Sequence, residues 1–233
     1  MTREAYIQNL LHRFSLVAVL SDKNDCKVLR LRNKETGGEL VLRSFPRHLD
    51  AYELLCAVRC RNLPEIYDAI DMQDGQIVLE EYIDGITVAD VMQAGKYHSR
   101  GAKKILREIC NALSVLHNRG IIHRDIKPEN VMVDKSGRVV LIDFNASRKE
   151  TKAGKDTVIM GTVGYASPEQ LGLSQSDART DIYAAGVLLN VMLTGKHPTE
   201  CFAAGRIGRI VRKCTALNPD DRYQSAEKLA LAL

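Results

Sequence analysis

A chain of 233 residues with an apolar share of 45% is long enough for one large domain or two small lobes around a real core. The formal charge of +4 is mild and its cations are scattered, which gives nucleic-acid binding no compositional support. The longest apolar run, "IYAAGVLLNVML" at 182–193, is interrupted by Asn190 and shorter than a membrane span, no charged-then-apolar leader opens the chain, and the six cysteines show no CxxC spacing, so secretion and zinc binding are not indicated.

In chain order, short β-like runs come first: "SLVAVL" (15–20), "KVLRLR" (27–32), "ELVLRSF" (39–45) and "QIVLEEY" (76–82), with turn signals at "ETGG" and "QDGQ". One helical stretch around 49–60 interrupts them. After "EEYIDG" the pattern becomes helical. It is clearest at 99–118, where Ile105, Ile109, Leu113 and Leu116 recur at three- and four-residue steps before Gly120. The expected fold class is α+β, a small antiparallel-sheet lobe joined to a larger helical lobe, with no internal repeat or linker.

The stretch "HRDIKPEN" (123–130) follows that long helix and so falls on a loop. Behind it come "VMV", a "DKSG" turn and "RVVLIDF", a hairpin whose second strand is expected to deliver Asp143 at its end. Asp125, Asn130 and Asp143, with Lys127 beside them, form an oxygen-rich set suited to a hard cation that carries phosphate oxygens. Taken singly, each residue also fits a solvated loop with incidental charges.

Taken together, His123-Arg124-Asp125, Lys127, Asn130 and Asp143-Phe144 resemble the catalytic loop and metal-binding segment of the eukaryotic-like (Hanks-type) Ser/Thr protein kinases, at that family's spacing. The resemblance continues through "GTVGYASPEQ" (161–170), Asp181 and "NPDDRY" with Arg222, and it points to compact bacterial members. It implies one protein kinase domain over 1–233, with a small lobe and hinge over about 1–83 and a large lobe over about 84–233, both abbreviated. Asp125 would orient or deprotonate the attacking hydroxyl, Lys127 would neutralise charge on the γ-phosphoryl, and Asn130 and Asp143 would hold Mg2+ or Mn2+. Lys127 and Thr162 resemble the Ser/Thr rather than the tyrosine branch.

For ATP, the resemblance assigns Val28 and Met132 to the two faces of the adenine, Glu81 and Ile83 to its edge, and Arg43 to the strand position that normally carries a phosphate-orienting lysine, with Glu53 as its partner. Ordinary core packing is the alternative for Val28 and Met132. Glu80 falls where the family places an apolar gatekeeper, and a buried carboxylate there requires a polar contact. The positions of the glycine-loop glycines hold Ser21, Lys23 and Cys26, so that loop is absent, and Lys23 or Lys27 is expected to reach the phosphates instead. Asn145 replaces the glycine after Asp143-Phe144. Thr157 and Thr162 are candidates for phosphorylation, with Arg124 able to pair with a phosphothreonine. Glu169 and Arg222 are expected to form a buried ion pair, and Asp181 to open the buried helix.

The implied activity is transfer of the ATP γ-phosphoryl to protein Ser or Thr hydroxyls, including the chain's own. A pseudokinase that binds nucleotide or a partner without transfer is the alternative, and a small-molecule phosphotransferase is disfavoured because "GTVGYASPEQ" resembles a peptide-positioning segment. The expected location is the cytoplasm, for this chain or for a longer protein of which it is the cytoplasmic part. A regulatory partner is also compatible with the trimmed surface.

Overall fold

The computed structural model describes residues 1–149, 162, 164–171 and 175–233. The chain forms two compact units, Met1–Arg59 with Pro64–Ile83, and Cys60–Leu63 with Asp84–Leu233. No helix among the described residues is long and apolar enough to cross a membrane.

The first unit opens with α1 (Arg3–Leu10), capped by the Thr2 hydroxyl, which accepts from the Ala5 N–H. Then follow β1 (Phe14–Lys23), β2 (Cys26–Asn33), β3 (Glu39–Phe45), α2 (Asp50–Cys56), β4 (Ile66–Met72) and β5 (Gly75–Glu81). The strands form an antiparallel sheet in the order β1-β2-β3-β5-β4. β1 turns into β2 through Asn24 and Asp25 alone, both at positive φ (51° and 59°). Those angles suit a type I′ hairpin turn, and Asn and Asp are the side chains that best tolerate them. In place of a glycine loop the chain has a tight two-residue turn.

One face of the sheet is closed by α1, whose Ile7 packs with Leu29, Leu31, Leu42 and Ile77. The helix is fastened at its start. Arg3 donates to Asp25 Oδ2 (2.8 Å), Asp25 O (3.1 Å) and Ser44 Oγ (3.2 Å), while its backbone N–H donates to Asp74 Oδ1 (2.8 Å). On the other face the strand register aligns Val28 with Arg43 and Arg43 with Val78. Phe45, on that same face by alternation, stacks on Tyr52 of α2 with ring centroids 5.6 Å apart.

The second unit begins with β6 (Gly85–Thr87) and α3 (Val88–Ala94), joined by a capping box in which Thr87 and Asp90 satisfy each other's backbone amides. α4 (Ser99–His117) buries Ile105, Ile109, Leu113 and Leu116, as their periodicity requires. After it come β7 (Ile121–Ile122), β8 (Val131–Asp134), β9 (Val139–Leu141) and β10 (Arg148–Lys149); β6-β8-β9 form one small sheet and β7-β10 a second. The helices α5 (Ala178–Thr194), α6 (Gly205–Cys214) and α7 (Ala226–Ala232) complete it.

α5 is almost wholly buried and stops at Gly195, whose φ of 71° suits a left-handed cap. Asn190, the polar break in its apolar run, is fully used: its Nδ2 donates to Lys196 O (2.9 Å) and Cys201 O (2.7 Å), and its Oδ1 accepts from the Ala203 N–H (2.8 Å). It anchors the loop that follows the helix. Residues 60–63 join this unit because Asn62 Nδ2 donates to Val139 O (2.8 Å) and Glu108 Oε2 (2.6 Å), while its carbonyl accepts from the Leu141 N–H.

Candidate active site

The polar loop leaves β7 under the control of Asp181, four residues into α5. Asp181 Oδ2 accepts from the His123 N–H (2.9 Å) and Oδ1 from the Arg124 N–H (2.8 Å), while His117 Nε2 lies 2.8 Å from Oδ2. These contacts hold Arg124 at a φ of +67°, a conformation costly for any residue with a Cβ. Burial by itself would raise the Asp181 pKa. The hydrogen bond and charge of His117, together with His123, outweigh it, and the carboxyl is held below its ordinary value.

His123 is completely buried and its pKa is pushed down, mainly by desolvation. Its Nδ1 accepts from the Asp125 N–H (3.3 Å), so the ring proton belongs on Nε2, which donates to Ile142 O (3.2 Å). A neutral ring thus links the loop to the segment after β9. Gln170 Nε2 donates to Arg124 O (2.8 Å), a contact with no signal in the sequence.

Asp125 gathers the polar groups that the sequence brought into question. Lys127 Nζ donates to Oδ2 (2.7 Å), Asn130 Nδ2 donates to Oδ2 (2.9 Å) and to the Asp125 carbonyl (2.8 Å), and the Thr162 hydroxyl donates to Oδ1 (2.7 Å). Lys127 also donates to Thr162 Oγ1 (2.8 Å). Burial works to raise the Asp125 pKa, but the hydrogen bonds from Lys127 and Thr162 and the lysine's charge lower it further than burial lifts it. The group is held ionised. Thr162, expected as a site of phosphorylation, is instead half-buried with its hydroxyl engaged by Asp125 and Lys127. Thr157 lies outside the described residues.

β9 ends at Leu141, two residues before Asp143, which itself takes a φ of +67°. The hairpin therefore supplies the approach to Asp143 and a strained turn supplies its direction. The Ile142 N–H donates to Asn130 O (2.9 Å), tying the two segments together, and Asp143 Oδ1 accepts from the Asn145 N–H (3.3 Å). Because both of the Asn130 amide's near neighbours are acceptors, its NH2 must face Asp125 and its oxygen is turned elsewhere. An amide oxygen and a carboxylate on tied segments fit the donor set of a hard divalent cation.

Away from the loop, Glu169 receives Arg222 in a bidentate pair at 2.6 and 2.9 Å with Arg222 fully buried, and Thr180 adds a third hydrogen bond at 3.0 Å. Met132 lies on β8, opposite Thr87 and Val140.

Val28, Arg43, Glu53, Glu81 and Ile83 belong to the first unit. Val28 and Arg43 share a face by register, and Ile83 is buried. Glu81 exchanges hydrogen bonds with the backbone of Glu65. The expected Arg43–Glu53 pair is not formed. Arg43 Nε instead donates to Glu80 Oε1 at 2.6 Å, its diagonal neighbour on the sheet, while Glu53 is exposed on the first turn of α2, 3.7 Å from His48. The short connection from β3 to α2 leaves Glu53 outside, and the odd carboxylate at position 80 takes the arginine. Lys27 also departs from expectation: it alternates onto the α1 side and pairs with Glu4 (3.3 Å). Lys23 pairs with Cys26, which shares the face of Val28 by alternation.

A model of the protein kinase domain matches residues 26–229. Among curated proteins, the chain is 32% identical over 180 residues to the serine/threonine-protein kinase PknB of Mycolicibacterium smegmatis, covering 65% of this chain and 29% of that protein. It is 30% identical over 194 residues to the serine/threonine-protein kinase PrkC of Bacillus subtilis (72% and 30%) and 33% identical over 173 residues to a probable serine/threonine-protein kinase PknB of Lactococcus lactis (73% and 27%). The matched region thus spans less than a third of each of these relatives. With the family model extending over most of its length, the chain belongs to the protein kinase domain family.

Proposed function

We propose that the chain transfers the γ-phosphoryl group of ATP to Ser or Thr hydroxyls of proteins. The observation that carries this reading is the Asp125 carboxylate, kept ionised by Lys127 and Thr162 with Asn130 locked beside it. Relatives named as Ser/Thr kinases support it. The substrate hydroxyl oxygen attacks the γ-phosphorus, the bond from that phosphorus to the β–γ bridging oxygen breaks, and ADP leaves. Asp125 orients the hydroxyl and accepts its proton. Lys127, already beside Asp125, supplies positive charge where it builds on the transferred group. Asn130 and Asp143 would hold a divalent ion, Mg2+ or Mn2+, which neutralises phosphate charge when bound.

Val28 and Arg43, on one sheet face, and Glu81, Ile83 and Met132 are proposed to take the nucleotide. A protein substrate, a regulatory partner and a cytoplasmic setting complete the proposal. The pseudokinase alternative gains no support from the comparisons. The test is transfer of radiolabelled phosphate from ATP with Mg2+ or Mn2+ to a mixed protein substrate and to the chain itself. Wild type should label well above Asp125→Asn and Asp143→Asn; equal background in all three would overturn the proposal.

A further inference from the structure

The carboxylate that meets Arg43 is built into the sheet. Arg43 lies on β3, which is paired with β2 on one side and β5 on the other, and Glu80 lies on β5, between β3 and β4. Neither strand is an edge. Val41 of β3 and Ile66 of β4 stand opposite Glu80, so its backbone is held from both flanks. Both side chains are buried and meet at 2.6 Å. In a close-packed interior, side chains on paired central strands have little freedom to move apart.

Glu53 of α2 is turned to water instead. Its side chain is 55% exposed and lies 3.7 Å from His48. The face that α2 buries carries Ala51, Tyr52 and Leu55, with Tyr52 stacked on Phe45 of β3. Successive residues point about 100° apart around a helix. Bringing Glu53 inward would therefore draw Tyr52 and Leu55 toward water, and residues 46–49 between β3 and α2 leave little slack for the movement.

An arginine can serve two anions at once. Its planar guanidinium has five N–H donors on three nitrogens, and the contact with Glu80 uses Nε. Holding the group by Nε sets the plane of the fork, and the terminal nitrogens carry donors for a second anion. A lysine has a single nitrogen, which a carboxylate as near as Glu80 would claim. In protein kinases the strand cation is ordinarily paired with a glutamate on a helix, and the position of that helix controls activity.

We propose that Glu80 is the positioning residue that aims Arg43 at the nucleotide phosphates, and that this aim does not depend on where α2 lies. The inference rests on the reading of Val28 and Arg43 as nucleotide-binding residues. The cation is oriented by the sheet itself, so that control exerted through a moving helix has no grip on it.

The test is titration of the fluorescent analogue mant-ATP, with Mg2+, into wild type, Glu80→Gln, Glu53→Gln, Arg43→Gln and the double variant Arg43→Gln/Glu80→Gln. Glu80→Gln should weaken binding about tenfold, the value of one hydrogen bond to a charged group, and Glu53→Gln should leave it unchanged. In the Arg43→Gln background Glu80→Gln should bring no further loss, because the group it aims is gone; a merely structural glutamate would impose the same factor in both backgrounds. Where Glu80→Gln does not fold, Glu80→Asp, which keeps the charge but withdraws it by one methylene, takes its place in the cycle. Additive losses, binding unchanged or tightened by Glu80→Gln, or a loss in Glu53→Gln equal to that in Glu80→Gln would each overturn this inference alone. Wild type that binds no mant-ATP would overturn the nucleotide reading and this inference with it.

Discussion

Arg43 and Glu80 form a buried ion pair across adjacent strands of the first unit, with Arg43 Nε 2.6 Å from Glu80 Oε1 and their side chains only 9% and 4% exposed. Glu80→Leu would remove the carboxylate that Arg43 Nε holds in the interior and should cost about 3–5 kcal/mol in urea unfolding. Joining it with Arg43→Met should recover most of that loss, since a buried pair has little net value against apolar residues of similar size. Equal losses in the single and double variants would show that the pair is not the reason.

Asp181→Asn keeps the shape of the residue that pins the polar loop but removes its charge. Charge-assisted hydrogen bonds of this kind contribute about 1.5–3 kcal/mol each, so a loss of that order is expected in thermal or urea unfolding. The pH dependence has a definite sign. The native carboxyl is held below its ordinary value, so its contribution is complete above the unfolded pKa of about 4 and disappears as pH falls through the native one. Below pH 4 the wild-type stability curve should fall more steeply than that of Asp181→Asn. Parallel curves would exclude Asp181 as the source.

Thr162→Val removes the hydroxyl that donates to Asp125 and accepts from Lys127. The phosphotransfer rate should fall about tenfold, the value of one hydrogen bond to a charged group. Removing a donor to the carboxylate raises its pKa, so the acidic limb of the rate profile should move to higher pH. A slower enzyme with an unmoved limb would assign Thr162 a role in peptide positioning alone.

His48 lies between α2 and β4, with Nδ1 2.7 Å from Asp71 Oδ1 and Nε2 3.0 Å from Asp50 Oδ1. The hydrogen bond to Asp71 leads in raising its pKa. A raised native value means the contribution is complete below the ordinary imidazole range and lost as pH rises through the native pKa. The side chain is 38% exposed, so solvent screening keeps the effect small. Comparing the Tm of wild type and His48→Gln between pH 6 and pH 9 should reveal a shallow decline in wild type only.

The sequence was most legible where one residue type has one physical solution. The three- and four-residue apolar steps in α4 could only be a buried helical face, and the loop from His123 to Asn130 needed its polar groups because they satisfy one another around Asp125. β4 escaped notice because it is an edge strand whose "IYDAIDM" carries two aspartates and little alternation. α1 buries only Arg3 and Ile7, too few for a periodic signal. Arg43 was paired with the wrong glutamate because the family resemblance implied a partner on the following helix even though the connection is short, whereas strand register brought Glu80 closer. His117 and Gln170 were invisible, since their roles come from distant elements meeting the loop.

The conserved-domain match begins at Cys26, past α1 and β1. A recombinant fragment trimmed to that boundary would lose the edge strand, the Arg3 clasp and the Ile7 plug together, baring Leu29, Leu31, Leu42 and Ile77 to water. Such a truncate should precipitate or bind the dye ANS strongly while the intact chain stays clear. For this protein, the practical limits of a well-behaved sample are wider than the limits of its homology.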